Sequence, residues 1–73
     1  MVSETSRLLL KAFASAGSEG LTVEKMEALF PLVLPDRLIK AGIVLEKKGL
    51  IEMKKEGGYK ITPKGETYWR KSA

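Results

Sequence analysis

Between Gly49 and Pro63 the apolar residues recur at every second position. Ile51 and Met53 alternate with Glu52 and Lys54, and Tyr59 and Ile61 alternate with Lys60 and Thr62. Such alternation marks strands with one face buried, and two of them around a glycine-bearing gap make an antiparallel hairpin. The constraint is strong, because a slip of one residue in the pairing exchanges the two faces of a strand. Keeping the apolar residues on one face, the pattern predicts Met53 opposite Ile61 and Lys55 opposite Tyr59. That leaves a three-residue loop, Glu56-Gly57-Gly58, with glycine for the left-handed position that such loops use. A two-residue loop of Gly57-Gly58 would put Lys54 opposite Ile61 and mix the faces. In the predicted register Ile51, Met53, Tyr59 and Ile61 anchor the hairpin, and Lys54 lies opposite Lys60 on its outer face.

Helices are predicted on both sides of the hairpin. The first runs over 4–16, capped by Ser3, with Leu8, Leu9, Ala12, Phe13 and Ala16 on one stripe, and it ends at Gly17. The second covers 22–30. Thr22 caps it, Leu21 and Met26 form a hydrophobic staple, and Pro31 stops it. Val23, Met26, Leu29 and Phe30 are expected to face the core. The third covers 36–48, entered through Pro35-Asp36 and closed by Gly49. The hairpin then occupies 50–62, and Thr62-Pro63 opens a fourth helix over 63–71. No repeat, linker or second domain is visible in the sequence.

At 73 residues the chain is expected to be one domain. A domain of this size buries only ~60% of the surface its unfolded chain exposes. Its core supplies roughly 3–5 kcal/mol of net stability, so a dimer or a partner would suit it. Apolar residues make up 44% of the chain, an ordinary share for a globular protein, so composition does not predict disorder. Cysteine is absent, which removes disulfides and thiolate metal sites and suits a reducing interior. No hydrophobic signal region opens the sequence, and no apolar run approaches membrane-spanning length. The expectation is therefore a cytoplasmic or nucleoid-associated protein with no membrane contact.

Charge divides unevenly along the chain. Residues 1–36 carry Arg7, Lys11 and Lys25 against Glu4, Glu19, Glu24, Glu27 and Asp36, a net of −2. Residues 37–73 carry ten basic residues against Glu46, Glu52, Glu56 and Glu66, a net of +6. A positive half joined to an acidic one is the footprint expected for a polyanion partner, and a solvated basic surface is the plainer alternative.

The predicted order is helix, helix, short connection, helix, hairpin, helix, an α+β domain. With the segments L-E-K-K-G-L-I (Leu45 to Ile51) and Y-K-I-T-P-K-G-E (Tyr59 to Glu66), it resembles the winged helix-turn-helix domain of small bacterial and archaeal transcriptional regulators. That fold has a three-helix core, a two-stranded β-hairpin wing and a short C-terminal helix. The resemblance covers nearly the whole chain. It implies transcription regulation, with helix three in the major groove of double-stranded DNA and the wing at 50–62 against the backbone. It also implies a homodimer paired through terminal helices. The connection Leu32-Val33-Leu34 departs from the pattern, being apolar and without the glycine often found in such turns. A fold hosts many functions, so the residues themselves must carry the argument.

Each Lys or Arg that neutralises a phosphate releases a condensed counterion, giving salt-dependent and sequence-blind affinity. The DNA-binding candidates are Lys54, Lys55 and Lys60 on the wing and Arg37, Lys40 and Lys47 on helix three. Opposed Lys54 and Lys60 repel each other; an anion above them would relieve that, or the two side chains splay into water. On helix three, Leu38 and Leu45 mark the core side, with Ala41 and Gly42 beside them. Asp36, Ile39, Lys40, Ile43 and Lys47 mark the outer side, with Arg37 and Val44 further round. Base reading needs forked donors, and only Arg37 offers one. Ile39, Ile43 and Val44 have three destinations: thymine methyl groups, burial under the wing or helix two, or a protein-binding patch. The last defines an alternative function, a protein–protein interaction winged helix docking through helix three.

Tyr68 and Trp69 on the last helix either close the core over helix one or form a dimer contact. Phe13 and Phe30 are expected in the core. Histidine and cysteine are both absent, so the usual general base, thiol nucleophile and metal-ligand sets are missing and no enzyme is expected. No glycine-rich phosphate loop occurs, because Gly57-Gly58 is a hairpin tip and Lys64-Gly65 lacks the preceding loop. No cofactor, metal or small-molecule substrate is implied.

Overall fold

The structure, a computed structural model, describes residues 4–72. Among them four α-helices and one two-stranded antiparallel sheet form an α+β architecture. In chain order the elements are α1 (Glu4–Ala16), α2 (Val23–Leu29), α3 (Pro35–Lys47), β1 (Ile51–Met53), β2 (Tyr59–Ile61) and α4 (Pro63–Ser72), with a 3-10 turn over Gly17–Glu19.

Helix α1 has the predicted bounds; its proposed cap, Ser3, lies outside the described residues. Its buried stripe is Ser6, Leu9, Leu10 and Phe13, while Leu8 is exposed. The apolar pattern predicts Leu8 in the core and overlooks Leu10. The cause is Ser6, a buried hydroxyl that continues the stripe by one turn but does not register in a hydrophobic pattern. Helix α1 packs most extensively on α3, and α4 closes over it.

Thr22 caps α2 as predicted, its Oγ1 accepting from the Lys25 amide at 3.1 Å. Leu21 and Met26 both lie in the core cluster, as the staple requires. Met26 is the one buried residue of α2, while Val23 and Leu29 are exposed and Phe30 is half-buried. The prediction of four core-facing side chains therefore fails. A helix of seven residues at the rim, packed chiefly on α3, drives one side chain inward and leaves its flanks in solvent.

Helix α3 starts one residue earlier than predicted, with Leu34 as its cap and Pro35 at the first helical position, where a missing N–H costs nothing. It ends by a Schellman motif. Gly49 has φ +75°, its amide donates to the Glu46 carbonyl, and the Leu50 amide donates to the Leu45 carbonyl, both at 2.9 Å. The accompanying contact joins Leu45 and Leu50, both fully buried in the core.

The strands pair as Ile51↔Ile61, Glu52↔Lys60 and Met53↔Tyr59. This corrects the predicted register. The faces keep their composition, but Lys60 lies opposite Glu52 and not Lys54. The loop is Lys55-Glu56-Gly57, closed by Lys54 N–H donating to the Gly58 carbonyl at 2.9 Å and Gly57 N–H donating to the Lys54 carbonyl at 3.1 Å. The reason lies on the other edge of β2. There Leu21 and Tyr59 exchange backbone hydrogen bonds of 2.7 and 2.9 Å. A Cβ on Gly58 would stand 2.8 Å from the Leu21 carbonyl oxygen. Both glycines take the left-handed region, Gly57 at φ +104° and Gly58 at φ +78°, and Gly58 also permits this backbone approach. Ile51 and Ile61 are buried, whereas Met53 is 65% exposed and is no anchor.

Thr62 joins the hairpin to α4. Its hydroxyl donates to the Gly49 carbonyl at 2.6 Å and accepts from the Gly65 amide at 3.0 Å, so one side chain ties the end of α3 to the start of α4. Gly65 is buried, because a Cβ there would run into the Leu50 carbonyl and stand 2.8 Å from Ile61 Cγ1. Tyr68 and Trp69 are half-buried and pack against the core cluster over α1.

Candidate nucleic-acid interface

Helix α3 is held by Leu38, Ala41 and Leu45, all buried. At 100° per residue that fixes Arg37, Lys40, Ile43, Val44 and Lys47 on the solvent side, and all are exposed. Arg37, Lys40 and Lys47 make no ion pair with another described residue. Ile39, Ile43 and Val44 are 49%, 45% and 39% exposed, so burial under the wing or α2 is not their destination.

The three apolar residues do not form one patch. Ile39 and Ile43 line a groove between α2 and α3, with Val23 and Met26 across it and Tyr59 of the hairpin among its lining residues. Val44 falls on the other flank of α3, in a shallow depression with Arg37, Lys40 and the first turn of α1. The residues that sequence reasoning missed here are Val23 and Tyr59. The apolar pattern of the second helix and the strand alternation assign them to the core, and nothing in the pattern marks them as groove walls.

The hairpin lysines are not equivalent. Lys54 is mostly buried, its Nζ donating to the Glu19 carbonyl and lying 3.5 Å from Glu56 Oε2. Lys60 Nζ lies 3.5 Å from Glu52 Oε1, an exposed cross-strand pair. Exposed pairs of this kind contribute about 0–1 kcal/mol, so an anion of higher charge density can compete for the lysine. Lys55, at the tip, is exposed and makes no ion pair with another described residue. The predicted Lys54–Lys60 repulsion is absent, and with it the argument for an anion seated between them. A neighbouring carboxylate for Lys54 could be read from Lys54-Lys55-Glu56; its bond to the Glu19 carbonyl had no signal in the sequence.

Among the described residues no His, Cys, Asp or Glu cluster could hold a metal ion, and no helix is long and apolar enough to cross a membrane. The chain matches no protein family, no curated protein and no solved structure.

Proposed function

We propose that the chain is a winged-helix DNA-binding domain serving transcription regulation, with α3 against the major groove of double-stranded DNA and the β1–β2 hairpin as its wing. The element order supports the fold reading, as does the pairing of Leu21 with β2, which fastens the hairpin to the segment before α2. One observation carries the function: Arg37, Lys40 and Lys47 stand exposed along α3 without carboxylate partners among the described residues, and Lys55 does the same at the hairpin tip. Uncompensated cations on adjacent elements are what phosphate binding uses. Lys60 joins them when it exchanges Glu52 for phosphate, whereas Lys54 holds the wing in place. Arg37 is the one forked donor on α3, so affinity in this reading comes mainly from phosphates and little from base identity. The domain acts by binding and not by catalysis.

The test is a gel-shift titration with random duplex at two salt concentrations. Engagement of these four cations, with Lys60 as a fifth, gives a log–log salt slope of roughly −3.5 to −4.5. Affinity that ignores salt rejects the proposal.

A second reading has its own observation. The exposure of Ile39 and Ile43 in an apolar groove favours docking of a protein on α3.

A further inference from the structure

The charges of α3 are sorted around its axis. At 100° per residue, with the Lys48 backbone still in the helical region, Lys48, Arg37, Lys40 and Lys47 fall within one sector of about 100°. Asp36, Ile43, Ile39 and Glu46 fill roughly the next 80°, toward the α2–α3 groove whose one charged lining residue is Glu27. The cationic sector turns outward and toward α1. There the depression holding Arg37, Lys40 and Val44 is completed by Thr5 and Ser6, which carry no charge, while Glu4 lines a separate depression beside Trp69.

At its C-terminal end the sector continues onto α4. Gly49 turns the chain, and a Cβ there would stand 3.6 Å from Lys64 Cδ and 3.8 Å from Lys64 Nζ. The Lys64 ammonium is therefore placed beside the residue that follows Lys48. The Thr62 hydroxyl, shared between the Gly49 carbonyl and the Gly65 amide, fixes this approach. Lys47, Lys48 and Lys64 are all exposed, and none makes an ion pair with another described residue. The nearest carboxylate in sequence, that of Glu46, falls about 160° from Lys48 around the helix, and Glu66 pairs with Arg70. The carbonyl end of α3 carries about half a negative charge, which one ammonium already offsets. Three gathered there leave an excess of positive charge that an external anion relieves.

We propose that Lys48 and Lys64 are phosphate contacts, so that one strand of the duplex backbone runs from Arg37 along the α1 side of α3 to the start of α4. The proposal rests on the DNA reading and deepens it. Neither residue belongs to the candidates marked by the sequence, and the track leaves the α2 flank uncovered. Arg37 and Lys48 are eleven residues apart, roughly 16 Å along the helix axis. Lys64 lies beyond them, so the span covers several phosphates of one strand.

Fluorescence anisotropy of the full chain with random duplex, across a salt series, tests the track. Two contacts beyond the five assigned above steepen the wild-type slope by about 1.8, and Lys48→Ala and Lys64→Ala should each remove about 0.9 of it. Lys25→Ala, at an exposed cation on α2, should leave the slope unchanged. Slopes unchanged in both Lys48→Ala and Lys64→Ala overturn the proposal. A lower melting temperature in the same two variants then assigns their ammonium groups to the α3 carbonyl end alone. A flatter slope in Lys25→Ala overturns it as well, by placing the duplex over α2. In both cases the DNA reading survives, whereas a wild-type chain whose duplex affinity ignores salt removes that reading and the track together.

Discussion

The Lys54 ammonium donates to the main-chain carbonyl of Glu19, bridging the hairpin to the turn that follows α1. Nearby, Leu21 and Tyr59 exchange two backbone hydrogen bonds. The hairpin is therefore fixed at two points to the 17–22 segment, and its tip is positioned by a side chain that charge alone would assign to phosphate.

Replacing Lys54 with Met keeps the aliphatic stem and removes the donor. A hydrogen bond from a charged group to a partly exposed carbonyl contributes about 1 kcal/mol, so global stability falls by no more than that. Native-state hydrogen exchange should show the Leu21 and Tyr59 amides opening faster, while amides in the middle of α1 keep their protection. Uniform acceleration across all of them would refute a local tether.

Gly65 and Gly42 give opposite expectations for the same substitution. Gly65→Ala drives a Cβ into the Leu50 carbonyl and Ile61; backbone cannot swing aside as a side-chain tip can, so α4 must shift, with a loss of roughly 2–3 kcal/mol. Gly42 sits inside α3 with nothing within 4 Å of an added Cβ. There alanine should stabilise by about 0.5–1 kcal/mol through helix propensity. Urea denaturation of the two variants measures both, and equal midpoints would contradict the close approach of α4 to Leu50 and β2.

Thr62→Val should be the costliest cap substitution among the described residues. It removes an acceptor for the Gly65 amide and a donor for the Gly49 carbonyl, so two part-buried groups lose their partner, for about 2 kcal/mol. Thr22→Ala removes a single exposed cap bond and should cost about 1 kcal/mol or less. Thermal melts compare them, and an equal effect would mean that the Thr62–Gly49 bond contributes nothing.

The helices were legible because their ends carry local chemistry: Thr22, Gly49 and Thr62 each act where a capping argument places them, and Pro35 opens α3 within one residue of the predicted start. The errors arise where tertiary contact overrides pattern. Leu10 displaces Leu8 because buried Ser6 extends the stripe of α1. The hairpin register shifts because Gly58 is needed against Leu21, a contact between residues far apart in sequence. That shift reorders the candidate site, pairing Lys60 with Glu52. The exposed basic face of α3 followed directly from its 3.6-residue period. The division of its isoleucines and Val44 between two flanks needed the positions of α1 and α2.

The different positions of the lysines lead to a prediction that separates phosphate contact from wing placement. Lys40→Ala and Lys55→Ala each remove an exposed cation without an ion-pair partner among the described residues. Each should reduce the salt slope of duplex binding by about 0.9, the counterion stoichiometry of one phosphate contact. Lys54→Met should weaken binding with the slope unchanged, since its ammonium is engaged by Glu19 and Glu56. Lys60→Ala falls between, because removing it also leaves Glu52 facing the duplex without its partner. Fluorescence anisotropy across a salt series reads all four slopes. If Lys54→Met flattens the slope as much as Lys55→Ala does, Lys54 is a phosphate ligand after all, and its bond to the Glu19 carbonyl must open on binding.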